Sequence, residues 1–367
     1  MLNKPLVVYI LALALSLGVS YAYTWLMRRL ALRWGAVDHP GPRKVHAEPM
    51  PLLGGVAIVG TFYLVVLVLA LAFTLMEEYG ADWFESRLAF FLGEQSRRKL
   101  AGLFAGSALV FLLGLVDDFK ALTPWLKLAG QVAAALVLVL SGVCFELFDL
   151  PYPIAAAATV FWIVLVTNAM NLLDNMDGLC AGVSIVAAFS FFLCVQAPYD
   201  DQFIRVLLMV FIGSVGGFLW HNFAPARIFM GDAGAMFNGY VLATVAVLGT
   251  FHVVDTSSRI AVAAPVLALS VPLFDTFSVI YIRWRRGQSI MKGDKRHFSH
   301  RLVELGMTPR QAVLFIFLVG AVVGLGAALL PSLGRQGTLI VLGQTLGVYL
   351  LIVLLMEAGK RSGRGTW

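Results

Sequence analysis

The chain has 367 residues, 60% of them hydrophobic and only 13% charged. A soluble protein would carry about 25% charged residues, so a soluble fold is excluded. The net charge of +6 is ordinary for a membrane protein and gives no sign of a nucleic-acid partner.

Apolar blocks of about 20 residues, the length that crosses a bilayer, recur from end to end. The alternation over ~10-residue segments that marks a membrane barrel is absent. The reading is an all-α polytopic membrane protein with about eleven transmembrane helices. They are expected near 5–27, 52–74, 100–116, 125–143, 153–170, 179–196, 203–221, 234–252, 260–282, 311–330 and 336–356. The first block resembles a signal peptide only superficially. It is too long, and its positive cluster follows it instead of preceding it, so it reads as a retained helix. No loop is long enough for a separate domain, so residues 1–367 read as one. Cys144, Cys180 and Cys194 fit no metal or redox spacing and read as small apolar fillers. The pairs Gly102/Gly106, Gly213/Gly217 and Gly320/Gly324 have the spacing of close helix contacts.

Orientation follows from charge. The loops on the side reached after the first helix, with the final tail, hold 19 of the 27 Lys and Arg residues. By the positive-inside rule that side is cytoplasmic, with the N-terminus outside and the C-terminus inside.

The unusual polar residues collect on this same side. After helix 1 comes "DHPGPRKVHAEPMPLLGG". Helix 3 ends in Asp117 and Asp118, acids at the helix end where the macrodipole opposes them, so both are expected to face a divalent cation carried by a diphosphate, with Lys and Arg nearby. Lys127 opens helix 4. After helix 5, Asn171, Asp174 and Asp177 recur every three residues, on one side of a helical turn, until Gly178. Asp232 opens helix 8, either as a plain N-cap or at a phosphate-attracting helix start. Asp275 lies inside helix 9 near Pro272, as a functional intramembrane acid or as the brace of a kink. His297 and His300 sit in "GDKRHFSHRL" with Lys295, Arg296 and Arg301. That run is a lipid-touching basic patch or part of a site.

Carboxylate and amide oxygens suit Mg²⁺, which shares phosphate oxygens, and bases suit the remaining phosphate charge. Zinc is disfavoured, because the histidines are three apart with no Cys or HExxH partner. A transporter or lipid flippase would put its ionisable residues at the midplane, where only Asp275 qualifies.

"GLVDDFKALTPWLKLAGQ", "NAMNLLDNMDGLCAG", "IFMGDAGAMFNGY", "VPLFDT" and "DKRHFSHRL" resemble the polyprenyl-phosphate N-acetylhexosamine-1-phosphate transferases. "RKVHAEPMPLLGG" is similar to that family's first cytoplasmic loop and adds Lys44 and His46 as substrate-binding candidates. The resemblance implies transfer of a sugar-1-phosphate from a UDP-sugar to a polyprenyl phosphate lipid, with release of UMP and a need for Mg²⁺ or Mn²⁺. It implies Asp232 as metal ligand with Asn171 as a second, and Phe229 stacked on uracil. Asp117, Asp118, Lys127, Asp174, Asp177, His297 and His300 would be catalytic. Asn171, Arg296 and Arg301 would bind substrate. The family's His-x-His-His reads "HFSH" here, with Ser299 in the middle place, so a middle-histidine role does not carry over. The motif is more similar to the branch using UDP-GlcNAc than to the branch using UDP-MurNAc-pentapeptide. The resemblance also implies a bacterial cytoplasmic membrane setting and points to a homodimer. Single displacement and a covalent aspartyl-phosphate route both remain open at this level.

Overall fold

A computed structural model describes residues 4–40, 48–78, 94–145, 150–195, 202–249, 263–289 and 296–361. Lys44, His46 and Lys295 lie outside the described residues.

Helices stand at all eleven expected places. They are α1 Lys4–Trp34, α2 Gly54–Glu78, α3 Glu94–Phe119, α4 Pro124–Leu140, α5 Tyr152–Leu173, α6 Leu179–Cys194, α7 Gln202–Asn222 and α8 Gly231–Leu248. Then come α9 Ala263–Ala268 with α10 Ser270–Arg285, a short α11 Phe298–Glu304, α12 Pro309–Leu329 and α13 Arg335–Arg361. Among the described residues eight are long and apolar enough to cross a membrane. The count of eleven is thus coarser than it looked. α4 and α6 have 17 and 16 residues, about 25 Å at 1.5 Å per residue. The expected ninth helix is two pieces, α9 and α10. Pro272 has no N–H for the Ala268 carbonyl four residues back, and its ring crowds that carbonyl.

The long helices also overrun the apolar blocks. α1 continues to Trp34, α3 starts at Glu94 and α13 ends at Arg361. Hydropathy marks the part of a helix that lies in lipid, not the part that is helical. Two features carry no apolar signal at all: α11, and an antiparallel pair of two-residue strands, β1 Val37–Asp38 and β2 Met50–Pro51.

α8 is the central helix. Every residue from Ala233 to Val247 is buried, although its hydropathy is the lowest of the eight. Its small and mildly polar residues face protein instead of lipid, as a helix apolar all round does when it forms a core. α2, α3, α5 and α6 pack around it, while α1 lies along α7 and α12 along α6. The three glycine pairs make the expected close contacts. Gly213 and Gly217 lie on α1, Gly102 and Gly106 lie under Ser141 of the α4 terminus and Tyr240 of α8, and Gly320 and Gly324 face Val186 and Ser190 of α6.

The described parts of the loops rich in polar motifs meet at one end of this bundle. Trp34, Trp125, Trp220 and Trp284, all exposed, lie in the terminal turns at that same end. Tryptophan is enriched at membrane interfaces, so the belt marks where lipid headgroups meet this face.

Candidate active site

The site is built on the α8 N-terminus. Gly231 has φ +69°, which turns the chain sharply into the helix at Asp232. Asp118, from the end of α3, caps that start from outside. Its Oδ1 accepts from the Asp232 N–H at 2.7 Å and its Oδ2 from the Ala233 N–H at 3.2 Å. Asp118 therefore meets not the expected cation but a helix N-terminus, whose free N–H groups favour an anion. Gly114, one turn earlier on α3, permits this approach, since a Cβ there would lie 2.5 Å from the Ala233 nitrogen.

Asp117 faces the other way. Its Oδ1 accepts from the Leu122 N–H at 2.6 Å, and its Oδ2 accepts from Lys127 Nζ at 2.9 Å. The same ammonium reaches Asp232 Oδ2 at 2.5 Å. Lys127 sits in the first turn of α4, which Thr123 caps by accepting from the Leu126 N–H, with Pro124 at the first helical position. A cation at a helix start opposes the macrodipole, and the two carboxylates offset that cost. Asn171, in the last turn of α5, donates Nδ2 to Asp232 Oδ1 at 2.8 Å. Four helices thus converge on Asp232.

The loop after α5 completes one wall. The Asp174 carboxyl is pushed up to about 8, first by burial and then by the negative charges of Asp232, Asp118 and Asp177. Asp177 accepts from the Ala226 N–H at 2.9 Å, and Asn222 ties Gly178 N–H to the Ile228 carbonyl. Both therefore fix the segment that carries Phe229. Phe229 is half-buried, and its backbone runs between Pro51 and Gly54 with hydrogen bonds of 2.8 and 3.1 Å. The "PLLGG" stretch is thus the support of the α8 start.

His297 is the N-cap of α11, and His300 and Arg301 lie on it. His297 and Arg301 are buried and His300 is partly exposed. Arg301 Nη2 donates to Ser278 Oγ at 2.6 Å, and Arg296 donates to Gln288 at 2.5 Å. Ser299, in the family's middle-histidine place, hydrogen-bonds Asn175 Oδ1 at 2.5 Å. That bond joins α11 to the loop of Asp174 and Asp177. Asp275 on α10 has both oxygens engaged, by His297 and by the Phe298 N–H.

Sequence reasoning passed over Asn175, Ser299 as a partner, and the pair of buried Gln131 and half-buried Asn168. Asn168 Nδ2 donates to Gln131 Oε1 at 2.5 Å. The signal was present, since two amides in apolar spans one turn from Lys127 and Asn171 need each other.

Among the described residues no three His, Cys, Asp or Glu side chains converge as a ready-made metal cage. Mg²⁺ does not require one, because it takes one or two carboxylates and completes its shell with water and phosphate oxygens. The donors here are hard oxygens, and a cationic group, the Lys127 ammonium, already lies between two carboxylates. Oxygen donors of this kind are the ones Mg²⁺ and Mn²⁺ take.

The family model described as glycosyl transferase family 4 matches residues 100–250. A probable undecaprenyl-phosphate N-acetylglucosaminyl 1-phosphate transferase of Bacillus subtilis is 33% identical over 341 residues, covering 90% of this chain and 87% of its own. A decaprenyl-phosphate N-acetylglucosaminephosphotransferase of Mycolicibacterium smegmatis is 32% identical, covering 92% of this chain and 86% of its own. An undecaprenyl-phosphate alpha-N-acetylglucosaminyl 1-phosphate transferase of Escherichia coli is 26% identical, over 85% of this chain and 79% of its own.

Proposed function

The chain belongs to glycosyl transferase family 4, with the polyprenyl-phosphate N-acetylglucosamine-1-phosphate transferases as its relatives; on that premise we propose that it moves GlcNAc-1-phosphate from UDP-GlcNAc to undecaprenyl phosphate and releases UMP. The product is a polyprenyl-diphosphate sugar on which a cell-envelope glycan is begun, at the inner membrane of a bacterium. The observation that carries this reading is the convergence of Asp117, Lys127, Asn171 and Asp232 at one end of an apolar bundle. A lipid phosphate and a soluble nucleotide meet only at such an interface.

A phosphate oxygen of the acceptor attacks the β-phosphorus in line. The new P–O bond forms as the bond to the UMP oxygen breaks, and the electron pair leaves with UMP. The acceptor's second pKa is about 6, so its phosphate is already mostly dianionic at neutral pH and needs little help from a base. Asp117 is engaged by Lys127 and the Leu122 N–H, which supports an orienting role for it. Lys127 binds diphosphate oxygens, and positioning with charge neutralisation supplies most of the acceleration. Asp232, with Asn171 through Oδ1, would hold Mg²⁺, which neutralises the diphosphate when bound.

An apolar groove of about 450 Å³ between α4 and α5, lined by Val132, Leu136, Ala157, Val160 and Val164 among others, supports a path for the isoprenoid chain. Val132 and Val164 stand about 8 and 10 Å along their helices from Lys127 and Asn171. Ala157→Trp fills the groove from an exposed position. It is expected to raise KM for the long-chain acceptor about tenfold, as the loss of one or two buried methylenes' worth of binding would. KM for UDP-GlcNAc should stay unchanged. Equal rises in both constants would remove the groove from the reading.

The test is a transfer assay in detergent with undecaprenyl phosphate, Mg²⁺ and radiolabelled UDP-GlcNAc, beside UDP-GalNAc and UDP-MurNAc-pentapeptide. Labelled lipid and UMP are expected from UDP-GlcNAc, with loss on chelation. Asp232→Asn should lower transfer about a thousandfold, as for removal of a main charge-stabilising group. Product from the pentapeptide alone would assign the other branch.

A further inference from the structure

Asp275 is 1% exposed on an apolar helix, where an unpartnered carboxylate would be costly. Its partners are not on its own helix. Oδ2 lies 2.7 Å from His297 Nδ1, and Oδ1 accepts from the Phe298 N–H at 2.5 Å. A carboxylate that merely braced the kink at Pro272 would bond backbone groups of α9 or α10. This one spends both oxygens on residues 22 and 23 positions later in the chain.

An ionised carboxylate only accepts hydrogen bonds. Opposite an ionised Asp275 the short contact is a hydrogen bond only with the proton on His297 Nδ1, which leaves Nε2 as the ring's other nitrogen. The Phe298 bond at the same time holds the start of α11. Ser278, three residues after Asp275 on α10, receives Arg301. Ser299 ties the same turn to Asn175, next to Asp174. The segment with the histidines is therefore locked on one side to α10 and on the other to the loop of the active-site acids.

We infer that Asp275 is a positioning residue for sugar-phosphate transfer, acting through His297: it fixes the ring as the Nδ1–H form and sets the start of α11 against the site. This role rests on the transferase reading, whereas the Asp275–His297 geometry does not.

Asp275→Asn separates the two bonds. The Asn oxygen can keep the Phe298 N–H, while its NH₂ group faces Nδ1 and forces the ring proton to Nε2. Turnover should fall about ten- to a hundredfold, in the range seen when a partner that orients a histidine is lost. KM for UDP-GlcNAc should change less than about twofold, because the nucleotide's binding groups are untouched. On a His297→Gln background Asp275→Asn should add nothing further, since residues acting as a unit are not additive. Additive losses would overturn the inference, as would a His297→Gln enzyme with wild-type turnover.

The second measurement needs neither activity nor a folded variant at 275. In ¹⁵N-histidine-labelled protein, with His297 assigned by loss of its signal in His297→Gln, Nδ1 should carry the proton. A bare Nδ1 with a protonated Nε2 would overturn the inference outright. Protein that shows the Nδ1–H signature but transfers no sugar from any donor would instead sink the transferase reading.

Discussion

Lys127→Met is expected to reduce transfer about a thousandfold, the scale of losing a main charge-stabilising group, and to destabilise the protein at the same time. The reason is the position of one ammonium between two carboxylates. Asp117 lies 2.9 Å and Asp232 2.5 Å from Nζ, and all three side chains are less than a third exposed. Methionine keeps the stem and removes the charge. The carboxylates then face each other across the site without compensation. Removing one partner of a buried ion pair costs about 3–5 kcal/mol, and the partial exposure here puts the expectation near 3. Asp117→Asn added to Lys127→Met should restore much of that stability by removing one of the facing charges. It should not restore transfer, because the ammonium that binds the diphosphate oxygens would still be missing. Thermal midpoints and the radiolabel assay separate the two effects. A Lys127→Met protein with a tenth or more of wild-type turnover would take Lys127 out of the chemistry.

Gly231→Ala is expected to cost activity about a hundredfold or more, the scale at which a misplacement of about 1 Å acts. Two effects coincide at this glycine. Its φ of +69° is a backbone conformation that costs an L residue about 1–2 kcal/mol. A Cβ there would also lie 2.5 Å from Asp118 Oδ2, so the carboxylate must move off the Asp232 and Ala233 N–H groups. The α8 start then loses its cap, and Asp232 loses its position against Lys127 and Asn171. Gly35 is the internal control. It has φ +68° but nothing within 4 Å of a Cβ. Gly35→Ala should show only the same backbone cost, about 1–2 kcal/mol, with transfer intact. Similar transfer in the two variants would show that Asp118 does not set the geometry of Asp232.

Much of the architecture was legible in one dimension. Apolar blocks locate helices because the bilayer admits no unpaired backbone polar group. The alternation of loops then requires that Asp117, Asn171, Asp232 and His297 reach the same end, and they do. The two acids at 117 and 118 illustrate where that reading stopped. Side by side they look equivalent, and both suggested a cation. In the fold Asp117 meets Lys127 and Asp118 meets the α8 N-terminus, because consecutive residues on a helix point about 100° apart and so face different neighbours. Asp275 shows the same limit. Its surroundings in sequence are apolar, and its partners lie more than 20 residues away.

The sequence by itself determined the membrane class, the helix positions, the face that gathers the motifs and the family. Each depends on composition or on order along the chain, which hydropathy and spacing express directly. Only the tertiary structure decided which carboxylate caps, which holds the lysine and which orients a histidine. It alone showed that the helix at Pro272 divides into two pieces, and it alone showed the half-hidden α11 and the Ser299–Asn175 contact. Those depend on hydrogen-bond distances between segments tens to more than a hundred residues apart, and a polar atom in a low-dielectric site takes its role from the partner it reaches.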